Sequence, residues 1–198
     1  MRTIAAVTFP GFQLLDLYGP LEFVGWLPDE FRVLIFADTP GGVASSPGPR
    51  GFADRGLDAA DRCDILLVPG GMGTRREVDN PRLVGWIGRA AEQAAIVATV
   101  CTGAALLART GQLDGRRATT NKRAFEWVGT QGPSVLWQPC ARWVVDGKFW
   151  TSSGVSAGMD MTLGLIAHLL GEETASDVAI KAEYIWNRDA ARDPFARH

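Results

Sequence analysis

Ile96-Val97-Ala98-Thr99-Val100-Cys101-Thr102-Gly103-Ala104-Ala105-Leu106-Leu107 is the stretch that decides how this chain folds. Its first part, Ile96 to Val100, is short, apolar and rich in β-branched side chains, which suits a strand covered on both faces. The small residues from Thr102 to Ala105 then permit a sharp turn into a close-packed helix. A buried strand running straight into a helix is the building unit of a parallel sheet covered by helices on both faces. Cys101 stands at the turn itself, where a side chain points out of the sheet in the geometry of a nucleophile elbow.

The same alternation of strand and helix extends in both directions. Upstream, Thr3 to Phe9 predicts a strand, Leu14 to Trp26 a helix, Phe31 to Ala37 a strand and Ile65 to Val68 another. Asn80 to Gln93 predicts a helix with Asn80 as its cap and Pro81 at its first position. Downstream, Arg117 to Thr120 predicts a strand and Arg123 to Val128 a short helix. Trp143 to Val145 and Phe149 to Ser152 predict a hairpin turning at Asp146-Gly147, and Met159 to Leu170 repeats apolar residues at helical spacing. Pro40 to Arg50, rich in Gly, Pro and Ser, reads as a loop. With 198 residues, a length that one core of up to roughly 200–250 residues accommodates, the expectation is a single α/β domain over 1–198.

Composition narrows the function. The formal charge is −2 and no Lys or Arg run makes a basic stripe, so nucleic acid is not an expected partner. The apolar start of the chain is cut by Pro10-Gly11, and no run approaches the ~18 apolar residues of a membrane span. The expectation is a cytoplasmic protein with neither membrane segment nor leader. Three cysteines, Cys63, Cys101 and Cys140, are odd in number and lack CxxC spacing, which argues against a disulfide framework or a zinc site. His168 and His198 are the only histidines, so a catalytic imidazole has few candidates.

Ligands of open parallel sheets bind at the carboxyl ends of strands. Besides Cys101, two segments fall there: Leu15-Asp16-Leu17-Tyr18-Gly19-Pro20 and Pro69-Gly70-Gly71-Met72-Gly73. A thiol at a helix start is expected to have a pKa below its usual ~8.5. An arbitrary cysteine is more often a small core residue; the strand-Cys-Thr-Gly-helix context reverses that preference for Cys101, while Cys63 and Cys140 keep it. Gly70 and Gly71 permit a tight turn with outward amides that stabilise an anion, although a Gly-Gly pair alone is often only a turn. Asp16 breaks an apolar run and is expected to be partly buried, as an active-site carboxylate or as a first-turn helix acid; Glu22 is the alternative acid. Tyr18, Trp26 and Trp186 are candidates to line an apolar pocket, or core residues.

Taken together, Phe9-Pro10, Leu15 to Pro20, Val68-Pro69-Gly70-Gly71, Val100 to Gly103, Gly115-Arg116-Arg117-Ala118-Thr119-Thr120 and Trp150 to Asp160 resemble the ThiJ/PfpI superfamily, and within it the isocyanide (isonitrile) hydratase branch. The resemblance implies a flavodoxin-like sandwich of the class I glutamine amidotransferase-like type, a homodimer, and no metal or organic cofactor. It also implies Cys101 as the elbow nucleophile, Asp16 as its acidic partner, Gly71 as a backbone donor, and Thr102 where protease-like and glyoxalase-like branches place His. Asn121 stands where the hydratase-like pattern has His. Regulators of the superfamily add a C-terminal helix-turn-helix, which a chain ending at His198 is not expected to carry.

The activity so implied is a lyase: the Cys101 thiolate adds to the terminal carbon of an isocyanide, Asp16 manages protons through a thioimidate, and an N-formamide leaves. The Gly71 and Thr102 amides would steady the intermediate. Two other readings compete with it. One is a glyoxalase or deglycase acting on small dicarbonyls through Cys101. The other is a non-enzymatic module in which Cys101 is a redox sensor or a vestige in a small-molecule binding site.

Overall fold

The computed structural model describes residues 1–59 and 62–196. In chain order the elements are β1 (Arg2–Val7), α1 (Leu14–Gly25), β2 (Phe31–Ala37), β3 (Gly41–Ala44), β4 (Arg50–Ala53), β5 (Arg55–Gly56), β6 (Ile65–Val68), α2 (Thr74–Glu77), α3 (Pro81–Gln93), β7 (Ile96–Val100), α4 (Gly103–Ala108), β8 (Arg117–Ala118), α5 (Phe125–Gln131), β9 (Leu136–Trp137), β10 (Trp143–Asp146), β11 (Phe149–Ser152), α6 (Ala157–Leu170) and α7 (Glu172–Lys181).

Among the described residues the main sheet has seven strands in the order β10-β11-β7-β6-β1-β2-β5. All neighbours are parallel except the β10–β11 hairpin, whose turn lies at Asp146-Gly147 as expected. The central strands are apolar because helices cover them: β6 and β7 are buried at every position. Helix α6 packs against both α1 and α7, while α2, α3 and α5 gather around α4. This is an α/β, flavodoxin-like architecture with a mostly parallel central sheet.

Local chemistry sets the element ends. The Asn80 side chain accepts the Arg82 and Leu83 amides at 3.1 and 3.3 Å, and Pro81 follows it, so α3 begins where expected. Gly171, with φ of 97°, separates α6 from α7, an extra helix beyond the expected end at Leu170. Two expectations are corrected. Part of the Pro40–Arg50 loop is β3, which pairs antiparallel with β4 around a turn containing Gly48. The expected strand at Arg117 to Thr120 stops at Ala118, because the Thr119 amide bonds the Thr151 side chain instead of a ladder partner. Among the described residues no helix is long and apolar enough to cross a membrane.

Candidate active site

The chain leaves β1 toward β2 and leaves β6 toward β7, so the crevice of this sheet opens between β1 and β6, at their carboxyl ends. The first turn of α1 enters it and carries Asp16, which is fully buried. Asp16 Oδ2 accepts the Gly70 N–H at 3.0 Å, tying α1 to the turn after β6. Only glycine fits at 70: a Cβ there would lie 2.5 Å from the Thr102 nitrogen and 3.0 Å from Asp16 Oδ2. Asp16 Oδ1 has no donor in hydrogen-bonding geometry, and the Cys101 thiol is the side chain that bears on this carboxyl.

Cys101 follows β7 with φ of 58°, a left-handed conformation that costs an L side chain about 1–3 kcal/mol and is held by its surroundings. Its N–H donates to Ser153 O at 3.0 Å, and its carbonyl accepts the Thr120 hydroxyl at 2.7 Å. The helix behind it starts equally tightly. At Gly103 a Cβ would lie 2.3 Å from Val68 O and 2.8 Å from Pro69 O, so α4 begins in contact with the end of β6. This is the sharp strand-to-helix turn that the small residues imply.

The electrostatics correct one expectation. Burial, and next the Asp16 carboxylate, push the Cys101 thiol up to about 12 rather than below its usual value. The Thr102 and Val155 amides and the Asn121 side chain pull the other way without prevailing. A helix of six residues does not offset the loss of water around the sulfur. Burial likewise raises Asp16 to about 7, against the Gly70 hydrogen bond and the thiol. Near neutral pH Asp16 is therefore close to its midpoint while Cys101 keeps its proton, and when Asp16 ionises the one proton left in the pair rests on the sulfur.

Other expected residues are placed as follows. Gly71 N–H donates to Thr102 Oγ1 at 3.0 Å, and Thr74 Oγ1 lies 3.0 Å from the same oxygen. The Gly71 amide is thus spent inside the turn, and with the Gly70 amide on Asp16 neither glycine N–H is aimed at the thiol. Thr102 contributes its own N–H to Cys101. Glu22 is exposed, accepts the Trp26 indole N–H at 3.2 Å and is not among the groups acting on Cys101, so the acid at the thiol is Asp16. Tyr18 OH accepts the Phe52 amide at 3.3 Å, Trp26 is exposed, and the Trp186 indole donates to Asp160 O at 3.1 Å. Cys63 is buried, while Cys140 is exposed and not a core residue. His168 is exposed in the last turn of α6, beside the Trp150 ring, and His198 lies outside the described residues. Among the described residues no cluster of His, Cys, Asp and Glu is arranged to hold a metal ion.

Two contributors come from outside the expected set. Val155, with φ of 38°, turns its N–H toward Cys101 from the loop between β11 and α6. A backbone donor has no side-chain signature; the available signal was the run of small residues around it, Ser153-Gly154 and Ser156-Ala157-Gly158. Asn121, noted only as a departure, proves to face the sulfur. Its Oδ1 accepts the Arg123 and Ala124 amides at 2.9 and 3.1 Å, so the carboxamide is oriented with Nδ2 free to donate to Cys101. Replacing it by aspartate puts an acceptor and a charge where a donor stood. Asn121→Asp is expected to slow alkylation of Cys101 by iodoacetamide at about pH 8 by ~10-fold, the equivalent of one pKa unit. Equal rates in the two chains would mean that the amide does not reach the thiol.

The DJ-1/PfpI family pattern matches residues 2–168. The chain is 34% identical over 181 residues to isonitrile hydratase of Pseudomonas putida, an alignment covering 91% of this chain and 78% of that protein. It is 28% identical over 192 residues to the HTH-type transcriptional regulator CdhR of Pseudomonas aeruginosa, covering 95% of this chain and 56% of the regulator. Among solved structures, a ThiJ/PfpI family protein from Pseudomonas syringae superposes with a TM-score of 0.86 at 26% identity, covering 98% of this chain and 77% of that one.

Proposed function

Because the chain belongs to the DJ-1/PfpI family, we propose that it is a cysteine-dependent hydratase that adds water to an isocyanide and releases the N-substituted formamide. The observation that carries this reading is the buried pair of Cys101 and Asp16, a thiol and a carboxyl lifted to about 7, side by side where the strands β1, β6 and β7 end. An isocyanide is neutral and needs both a nucleophile and a proton at its terminal carbon. A thiol and an acid sharing one proton in a water-poor site supply both.

In this mechanism the Asp16 carboxylate takes the thiol proton as the Cys101 sulfur attacks the terminal carbon of R–NC, forming the S–C bond. The Asp16 proton passes to that carbon, giving the thioimidate R–N=CH–S–Cys101 and an Asp16 carboxylate. The carboxylate then takes a proton from water as its oxygen bonds the same carbon, and Asp16 returns that proton to nitrogen. Collapse of R–NH–CH(OH)–S–Cys101 breaks the C–S bond, the hydroxyl proton goes to Asp16, and R–NH–CHO leaves. The Thr102 and Val155 amides and Asn121 Nδ2 serve the sulfur as it gains and loses negative charge. The reading carries with it a lyase of the cytoplasm acting as a homodimer on a small molecule, with no metal or organic cofactor.

The test follows simple alkyl and aryl isocyanides and their formamides with the reduced chain. Formamide appearing in step with isocyanide loss, and catalytically, is the expected result. An absence of turnover across several isocyanides sinks the hydratase and shifts the weight to dicarbonyl substrates, assayed on the same thiol.

A further inference from the structure

Val155 presents a problem of its own. A β-branched residue at φ of 38° is strained, and strain of this kind persists only where neighbours fix the backbone on both sides. Here one neighbour does so. Arg142, immediately before β10, is buried, with its carbonyl accepting the Ser153 N–H at 2.8 Å and its Nη2 lying 3.5 Å from Ser156 Oγ. It thus brackets the turn from 153 to 156. The same turn reaches Cys101 twice, through Ser153 O on the Cys101 N–H and through the Val155 N–H.

The guanidinium is itself held. Its Nε and Nη2 lie 2.6 and 2.5 Å from Oδ2 of Asp160, in the first turn of α6, and Nη1 lies 3.8 Å from Asp193. The other oxygen, Asp160 Oδ1, accepts the Tyr184 hydroxyl at 3.0 Å and the Asn187 amide at 2.9 Å. A buried ion pair is a poor source of stability compared with apolar side chains of the same volume, and its attested advantage is fixing one geometry. We propose that Arg142 is a positioning residue: its guanidinium, anchored on Asp160, holds the 153–156 turn so that the Val155 N–H stays aimed at the Cys101 sulfur. The proposal rests on Cys101 as the reacting group and adds to it a residue that does not touch substrate.

The Val155 amide resonance reads the position directly. In the native chain it should sit downfield and move upfield in Cys101→Ala, which removes the acceptor. Arg142→Lys, which keeps a cation by Asp160 but loses the reach to Ser156, should move it toward the Cys101→Ala position. Ser156→Ala, a milder change at a half-exposed residue, should move it the same way by less. Formamide production should fall ~10-fold in kcat for Arg142→Lys with KM unchanged, as for loss of an interaction that strengthens when the sulfur gains charge in the transition state and does not touch bound substrate. An unmoved Val155 resonance in both variants, with only a lower Tm, overturns the proposal; if Arg142→Lys does not fold, Ser156→Ala decides alone. A resonance that Cys101→Ala leaves in place also overturns it, because the amide then does not serve the sulfur. Because the amide is read without substrate, failure of the isocyanide assay and failure of this proposal are separate results.

Discussion

Cys101→Ala is expected to reduce formamide production by about 10⁴-fold or more, to the background of the uncatalysed reaction. The substitution removes the atom that bonds the isocyanide carbon, and neither Cys63 nor Cys140 is among the groups acting on Asp16, so neither can take its place beside that acid. The fold should survive. Alanine at φ of 58° bears the same strain as cysteine, and deletion of one buried sulfur leaves a small cavity worth about 1 kcal/mol. Cys101→Ser keeps the shape but offers an alcohol that Asp16 cannot ionise, so it should be nearly as inactive. The check is formamide appearance beside a thermal melt; substantial turnover by the well-folded alanine variant would remove the nucleophile from the mechanism.

Asp16→Asn is expected to lower turnover by about 10²- to 10⁴-fold, the range for a positioned acid-base group. It should do so while stabilising the protein in alkaline solution. The sign follows from the direction of the shift. Asp16 titrates near 7 in the folded chain against 3.8 for an ordinary aspartate, so the folded state prefers the protonated form. Below about pH 4 the group is neutral in both states and costs nothing. As pH rises toward 7 the unfolded state gains an ionised carboxylate that the folded state resists, and above 7 the full penalty, up to about 4 kcal/mol, is present. Asparagine carries no such charge and can still accept the Gly70 N–H through its carbonyl. The Tm of Asp16→Asn should therefore exceed the native Tm at about pH 8.5 and converge with it near pH 4. A variant less stable than native at alkaline pH would show that the carboxylate is better compensated than its burial implies.

How much of this was legible in the sequence depends on the kind of signal. β2, β6, β7 and β11 begin and end where expected, and for β6 and β7 the reason is plain, since a strand buried on both faces has no choice of register or length once turn residues flank it. α3 was legible for a different reason, its Asn80-Pro81 start being a local, side-chain-encoded device. β3 and β4 were not, because Gly41, Gly42 and Gly51 carry no side chains to show an alternating pattern. Within the site, the nucleophile and its acid were legible from local context, and so was the tightness of the elbow. The direction of the thiol's pKa was not, since it depends on how thoroughly α1 and the turn after β11 exclude water from a residue distant from both along the chain. Nor was the engagement of Gly71 with Thr102, which is a contact between two strand ends.

The meeting of Gly103 with the Val68 and Pro69 carbonyls has a bearing on how such a protein can change over generations. Two neighbouring strands share a junction with no spare volume, so a drift of one must be matched by the other at once, and single substitutions there are dead ends. Variation in appetite for new electrophiles is thereby channelled to positions that flank the sulfur without building the junction, Asn121 and Val155 foremost. A library directed at those two codons, with 68–70 and 101–103 left as they are, samples the part of sequence space that this architecture leaves open to selection.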